Sequence, residues 1–308
     1  MANVKRGIYI LANDDAIDQS VALANSIKEH DSDTSICLIP YDEKYKKVTQ
    51  ILTKNYNVQL YPDINKVTRL SENIQKIFGD DVFARPNQFR KQACWLGPFD
   101  EFLYVDTDIV VFDKLTDMFM LLKTYDFVCS DYERKKGIRR LFKPEILNDR
   151  VISQNDLSSI FNAGFWGSKK KVFTEKTLLL ALKNCRKHFN YFDFTSNVSD
   201  MPVFNYIIMK KIKNRINLTQ MPGTKISGDW AGMPHFIRKG DRLYDPNSKS
   251  YLKYLHWAGI KIRPGCPYWD VWKHYRLMGP GKDIPMQFGK KSIAANIKNA
   301  FKKLIKQK

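Results

Sequence analysis

No window of the chain approaches roughly eighteen consecutive apolar residues, so nothing in it reads as a membrane-spanning helix. The start also lacks the apolar stretch and small-residue cleavage site of a signal peptide. Residues 1–6 lead straight into a short apolar run and then Asn13-Asp14-Asp15. The five cysteines (Cys37, Cys94, Cys129, Cys185 and Cys266) are odd in number, scattered, and never spaced C-x-x-C. That argues against both a zinc knuckle and a disulfide scaffold, and it fits a reducing, cytoplasmic setting. There is no G-x-x-x-x-G-K-[ST] loop for phosphates, no zinc finger and no RNP1-like segment. Acidic residues are scarce: 32 Asp and Glu stand against 51 Lys and Arg, a net charge of +19.

A field of that sign draws phosphate groups, whether of nucleotide, nucleic acid or anionic lipid. Part of the excess is concentrated at the end, where residues 290–308 hold seven lysines and no acid. The rest is thinly spread. The 308 residues are 44% hydrophobic and 27% charged, ordinary globular composition that excludes a disordered chain. The length suffices for one large domain or two small ones.

Residues 7–12 read as a buried strand. A helix follows, with Val21, Leu23, Ala24 and Ile27 on its apolar face, and then a strand over 36–39 closed by Pro40. Strand, helix, strand at this spacing predicts a parallel sheet, whose strand ends are the usual ligand site. Residues 87–97 read as helix, 102–105 and 109–112 as strands on either side of Asp106-Thr107-Asp108, and 125–129 as another strand. Residues 161–168, apolar with Gly164 and Gly167, read as a buried strand close to a ligand. Residues 131–158 are polar and basic and read as an irregular excursion that could cover a site. Residues 171–190 and 202–213 read as helices, and beyond Met221 a loop-rich lobe is expected.

Asp106 and Asp108 point to one side of an extended chain. Two adjacent carboxylates at the end of an apolar strand are costly unless a cation joins them, and hard oxygen ligands suit magnesium or manganese. A solvated polar strand end is the plain alternative. His256 precedes Gly259 and Lys261 at a spacing suited to wrapping a diphosphate, and imidazole beside two carboxylates favours manganese.

These segments, taken in order, resemble glycosyltransferase family eight, the glycogenin and lipopolysaccharide-galactosyltransferase type. They are Phe102-Leu103-Tyr104-Val105-Asp106-Thr107-Asp108, Phe161-Asn162-Ala163-Gly164 and His256-Trp257-Ala258-Gly259-Ile260-Lys261, with Tyr9 to Asp15 resembling the family's first strand and nucleotide loop. The resemblance implies the α/β GT-A fold, a mainly parallel sheet flanked by helices, over 1–265. An aromatic segment over 266–289 and a basic tail over 290–308 would follow. It implies metal-dependent transfer of a sugar from a nucleotide diphosphate, usually UDP, with retention of configuration, to a glycan or lipid-linked acceptor.

Asp106, Asp108 and His256 would hold Mn2+ or Mg2+. Ala12, Asn13, Asp14 and Asp15 would line the nucleoside. Arg90 or Lys91 would sit by the donor sugar or phosphate, with Thr107 among the residues that bind the nucleotide-sugar and its metal. Asn162, Ala163 and Gly164 would face the donor sugar, and Gly259 and Lys261 would grip the diphosphate. Asp200 resembles the start of an Asp-Gln-Asp segment, in which Met201 and Pro202 replace the second and third residues. An inverting relative would instead need a carboxylate as general base, for which Asp200 and Asp229 are the candidates.

Two other readings stay open: a nucleotidyltransferase using the two aspartates, and a basic nucleic-acid or anion-binding protein. No nucleic-acid partner is expected, since the basic residues gather in a tail. There Ile293, Ile297, Phe301, Leu304 and Ile305 share one helical face, the pattern of an interfacial helix drawn to anionic lipid on the cytoplasmic face of a membrane. The aromatics from Tyr268 to Tyr275 suit sugars, lipid or simple packing, the last expected for Trp272.

Overall fold

The computed structural model describes residues 4–79, 82–83, 85–130, 141–193, 199–220 and 228–287. The basic tail, the first ten residues of the excursion, 131–140, and residues 221–227 lie outside the described residues.

The chain enters β1 (Arg6–Ala12), α1 (Ile17–His30), β2 (Ile36–Pro40), α2 (Lys46–Tyr56), β3 (Gln59–Leu60) and α3 (Ile64–Phe78). A 3-10 helix, Pro86–Leu96, leads to β4 (Glu101–Val105), β5 (Ile109–Val111), β6 (Phe127–Cys129), β7 (Phe165–Lys169) and β8 (Arg215–Asn217). Seven strands form the main sheet in the order β3-β2-β1-β4-β7-β6-β8. Of these only β7 runs antiparallel to its neighbours β4 and β6.

Alternation along β1 explains its two-sided burial. Ile8 and Ile10 pack with Val21, Leu23 and Leu52, beneath α1 and α2. Tyr9 packs with Val67, Leu70 and Ile74 of α3 and with Trp95 and Trp166. Each fully buried aliphatic side chain contributes about 1.5–3 kcal/mol. Local chemistry sets the helix ends: the Asp63 carboxylate accepts Lys66 N–H at 2.9 Å at the start of α3, and Gly79 stops it at φ 104°.

The expected strand over 161–168 is half right. Phe161 and Asn162 are extended loop, Ala163 and Gly164 form a turn, and β7 begins only at Phe165. The described part of the excursion is not irregular. It holds short helices at Glu145–Asn148 and Gln154–Ser158, with Phe142, Ile146 and Leu157 in the core.

Past residue 228 the lobe is built from β9 (Asp229–Trp230), β10 (Ile237–Lys239), β11 (Arg242–Asp245), β12 (Ser250–Tyr251) and β13 (Tyr254–His256), in two three-stranded sheets, β10-β11-β12 and β5-β13-β9. The helix Trp269–Leu277 packs on α1, and Trp272 and Tyr275 are wholly buried, so Trp272 is core as expected. Among the described residues no helix is long and apolar enough to cross a membrane.

Candidate functional site

In the main sheet β1 lies between β2 and β4. Chain order departs in opposite directions on its two sides, and such a reversal opens a crevice at the carboxyl ends of the strands. That crevice is present. A cavity of about 280 Å³ is lined by Leu11, Ala12 and Asn13 after β1, Tyr41 after β2, Gln88 and Lys91 from the 3-10 helix, and Asp106, Thr107 and Asp108 after β4.

Two backbone connections place the acids. Asp106 N–H donates to the Gly164 carbonyl at 2.8 Å, and Trp257 N–H donates to the Asp108 carbonyl at 2.9 Å. The second follows from the pairing of β13 with β5, which sets His256 opposite Ile109. His256 Nε2 therefore lies 3.1 Å from Asp108 Oδ1 and 3.9 Å from Asp106 Oδ2. One donor atom from each of the three residues falls within 4.8 Å of the others. The imidazole is 2% exposed, and the carboxylates reach the cleft at 29% and 34%. Gly164 has to be glycine, because a Cβ there would run into His256 Cε1 and Asp106 Oδ2.

Lys91 balances this charge from behind. Its Nζ, 5% exposed, lies 3.0 Å from Asp200 Oδ2 and 3.9 Å from Asp106 Oδ1. It also sits over the Tyr104 ring at 5.2 Å. Burial pushes the ammonium down, but Asp106 and Asp200 outweigh it and hold it above the usual lysine range. Burial, with Asp108 alongside, holds the Asp106 carboxyl above its ordinary value against the pull of Lys91. For Asp108 burial is outweighed by His256, and the carboxyl is held low. For His256 burial is outweighed by Asp108, and the imidazole is held high. The set is thus polarised, with Lys91 and His256 turned toward two acids whose carboxyls are shifted in opposite directions.

The other expected residues separate into those brought to this point and those placed elsewhere. Ala12, Asn13 and Thr107 line the cleft. The Asp14 carboxylate instead accepts Val48 N–H at 2.9 Å at the start of α2, and Asp15 is exposed. Arg90 is buried between Glu43, at 2.8 Å, the Pro40 carbonyl and Ser71, so it braces the end of β2. Asn162 Oδ1 turns back to Gly164 N–H at 2.9 Å, and its Nδ2 lies 4.0 Å from Met201 Sδ. The Ala163 carbonyl faces Lys91 Nζ at 3.5 Å.

Gly259 takes φ 70°, a conformation that suits glycine. Lys261 lines a different cavity, of about 370 Å³, with Arg263 and Cys266. Asp229 pairs in register with Leu255, one step from His256, so its side chain leaves the sheet on the opposite face. Burial, with Asp245 nearby, pushes its carboxyl up to about 6.

Tyr104, Tyr41, Gln88 and Gln19 were not singled out in the sequence. Tyr104 donates its hydroxyl to Asp106 Oδ1, and the two-residue period of β4 carries that information. Tyr41 follows the end of β2, where the strand-end rule applies. Nothing local marks Gln19 or Gln88.

No family model matches the chain, and no curated protein matches it. Its fold is similar to that of solved GT-A glycosyltransferases. The galactosyltransferase LgtC, in complex with donor and acceptor sugar analogs, is 13% identical with a TM-score of 0.57, over 88% of this chain and 95% of that one. The bifunctional glycosyltransferase WbbM is 13% identical with a TM-score of 0.58, over 91% of this chain. The match spans about half of WbbM, 51% of its chain. GlyE of Streptococcus pneumoniae TIGR4 is 17% identical with a TM-score of 0.50, over 90% of this chain and 61% of that one.

Proposed function

We propose that the protein is a metal-dependent glycosyltransferase that takes a sugar from a nucleotide diphosphate, best read as a UDP-sugar, and resembles family eight. The observation that carries this is the convergence of Asp106, Asp108 and His256 within 4.8 Å at the sheet's switch point. Two hard oxygens and one imidazole suit Mn2+, with Mg2+ as the next choice. A bound divalent ion would neutralise the leaving diphosphate. The chain's own residues do the rest. Ala12, Asn13 and Tyr41 wall the nucleoside side of the cleft, Lys91 holds Asp106 and Asp200 in place, and Lys261, beyond the left-handed turn at Gly259, would reach toward the phosphates.

Asp200 is engaged by Lys91 and Asp229 is on the far face of its strand, so neither is offered as a general base. That favours retention over inversion. The acceptor is read as a glycan or a lipid-linked sugar, and the 290–308 tail as contact with an anionic membrane surface on its cytoplasmic side.

Titration calorimetry of UDP into the full chain tests the donor site. Binding is expected with manganese and lost on adding EDTA. Binding that ignores EDTA would remove the metal, and failure of UDP, GDP and dTDP alike would remove the nucleotide-sugar reading.

A further inference from the structure

The two carboxylate oxygens of Asp106 have different neighbours. Oδ1 accepts the Tyr104 hydroxyl and lies 3.9 Å from Lys91 Nζ. Oδ2 lies 3.9 Å from His256 Nε2. It also borders the space that a Cβ on Gly164 would fill. One oxygen is therefore committed to the protein interior, and the other is turned to the imidazole.

The hydroxyl that makes this division is held rigidly. Phe102 and Tyr104 enter one core cluster while Leu103 and Val105 enter the other, so the strand period carries Tyr104 and Asp106 on the same face. The Tyr104 side chain is wholly buried. Its ring stacks on Trp166 with centroids 5.4 Å apart and 24° between the planes, and Trp166 stacks on Trp95 at 5.0 Å and 25°. Trp95 Nε1 donates to Ser168 Oγ at 3.0 Å, which ties the far end of the stack to β7. A ring clamped in this way can aim its hydroxyl in one direction only.

We propose that Tyr104 is a positioning residue for the metal, whose hydroxyl occupies Asp106 Oδ1 so that Asp106 offers a cation Oδ2 alone. This role rests on the metal reading of the cleft given above. It bears on which ion is accepted as well as on how tightly. A carboxylate limited to one oxygen suits the compact octahedral demand of magnesium and manganese. Calcium takes more oxygens at longer distances and readily uses both from one carboxylate. Partners of metal ligands commonly change affinity by about 10–100-fold when removed.

A buried hydroxyl needs an acceptor in any case, so a loss of stability does not separate a positioning role from a structural one. Tyr61 supplies the comparison, because its buried hydroxyl donates to the Ala93 carbonyl at 3.0 Å, away from the cleft acids.

The test is calorimetry of UDP binding to the full chain at increasing manganese and, in a parallel series, increasing calcium. The readout is the metal concentration at half effect. Wild type should respond to manganese at a markedly lower concentration than to calcium. Tyr104→Phe keeps the ring in its stack and beneath Lys91. It should raise the manganese midpoint about tenfold or more and leave the calcium midpoint nearly unchanged, so the preference narrows by the same factor. Tyr61→Phe should lose a comparable amount of melting temperature and keep both midpoints. An unchanged manganese midpoint in Tyr104→Phe would overturn the role, as would midpoints raised equally for both ions or an equal shift in Tyr61→Phe. A wild type that accepts calcium as readily as manganese would overturn it whatever the variant does. UDP binding that ignores both ions would overturn the metal reading along with it, whereas a metal-dependent wild type beside an unaltered variant would overturn this role alone.

Discussion

At the scale of single residues, the cleft is a problem of charge balance. Asp106 and Asp200 are brought close to one buried lysine, and removing that lysine leaves Asp200 without its counter-charge and Asp106 with only Tyr104 and His256. Lys91→Met should cost about 3 kcal/mol of stability in urea unfolding. Adding Asp200→Asn should recover part of the loss, since the amide needs no counter-charge. A single variant as stable as wild type would show that water already compensates these acids. Asp108→Asn asks a different question. Asn keeps the shape and a weak oxygen but loses the charge that draws a cation. Manganese-dependent UDP binding should fall at least about a hundredfold, about 2.8 kcal/mol, while the melting temperature stays close to wild type. Undiminished binding would mean that the metal ligands lie elsewhere.

At the scale of elements, what was legible depended on whether the information was local. β1 and β4 stood out because their residues are continuously apolar and buried on both faces. The carboxylates of Asp106 and Asp108 stood out because a strand end fixes their direction. Phe161 to Gly164 were misread as strand because an apolar run with a glycine fits a tight turn equally well. The face on which Asp229 lies was illegible for a deeper reason. Its face is set by register with Leu255 in a two-residue strand, and no local pattern encodes that. Its position has a measurable consequence. A carboxyl whose pKa rises from 3.8 to about 6 on folding favours the folded state most below the unfolded value. That contribution is lost as pH rises through about 6. Asp229→Asn, neutral throughout, should therefore exceed wild type by about 1–2 kcal/mol above pH 7, allowing for partial exposure. The advantage should shrink to nothing near the acid end of the window. A pH-independent difference in paired denaturation curves would refute the burial argument.

At the scale of the whole molecule, the far end of the chain is fastened beside the cleft. Arg276 is fully buried, and its Nε lies 2.8 Å from Asp18 Oδ1. Its other nitrogens donate to the carbonyls of Gly281 and Ile284. Gln287 N–H donates to Asp18 Oδ2 at 2.7 Å, and its amide Nε2 reaches the Asp14 carbonyl at 3.4 Å. Asp18 opens α1 just beyond Asn13 and Ala16, which line the cleft. Gln287, three residues before the lysine-rich 290–308 in sequence, thus sits beside the rim of the cleft. The anchor and the tail should separate under mutation. Deleting 290–308 leaves every one of these contacts intact, so stability and UDP binding should not change, while retention on phosphatidylglycerol vesicles should be lost. Arg276→Met keeps the tail but strands the buried Asp18. It should lower stability by about 3–5 kcal/mol and weaken UDP binding through the loosened start of α1. If the truncated protein sediments with vesicles as well as the full chain does, the surface contact lies elsewhere. If Arg276→Met binds UDP normally under conditions where it is folded, the clasp supports the fold without positioning the cleft.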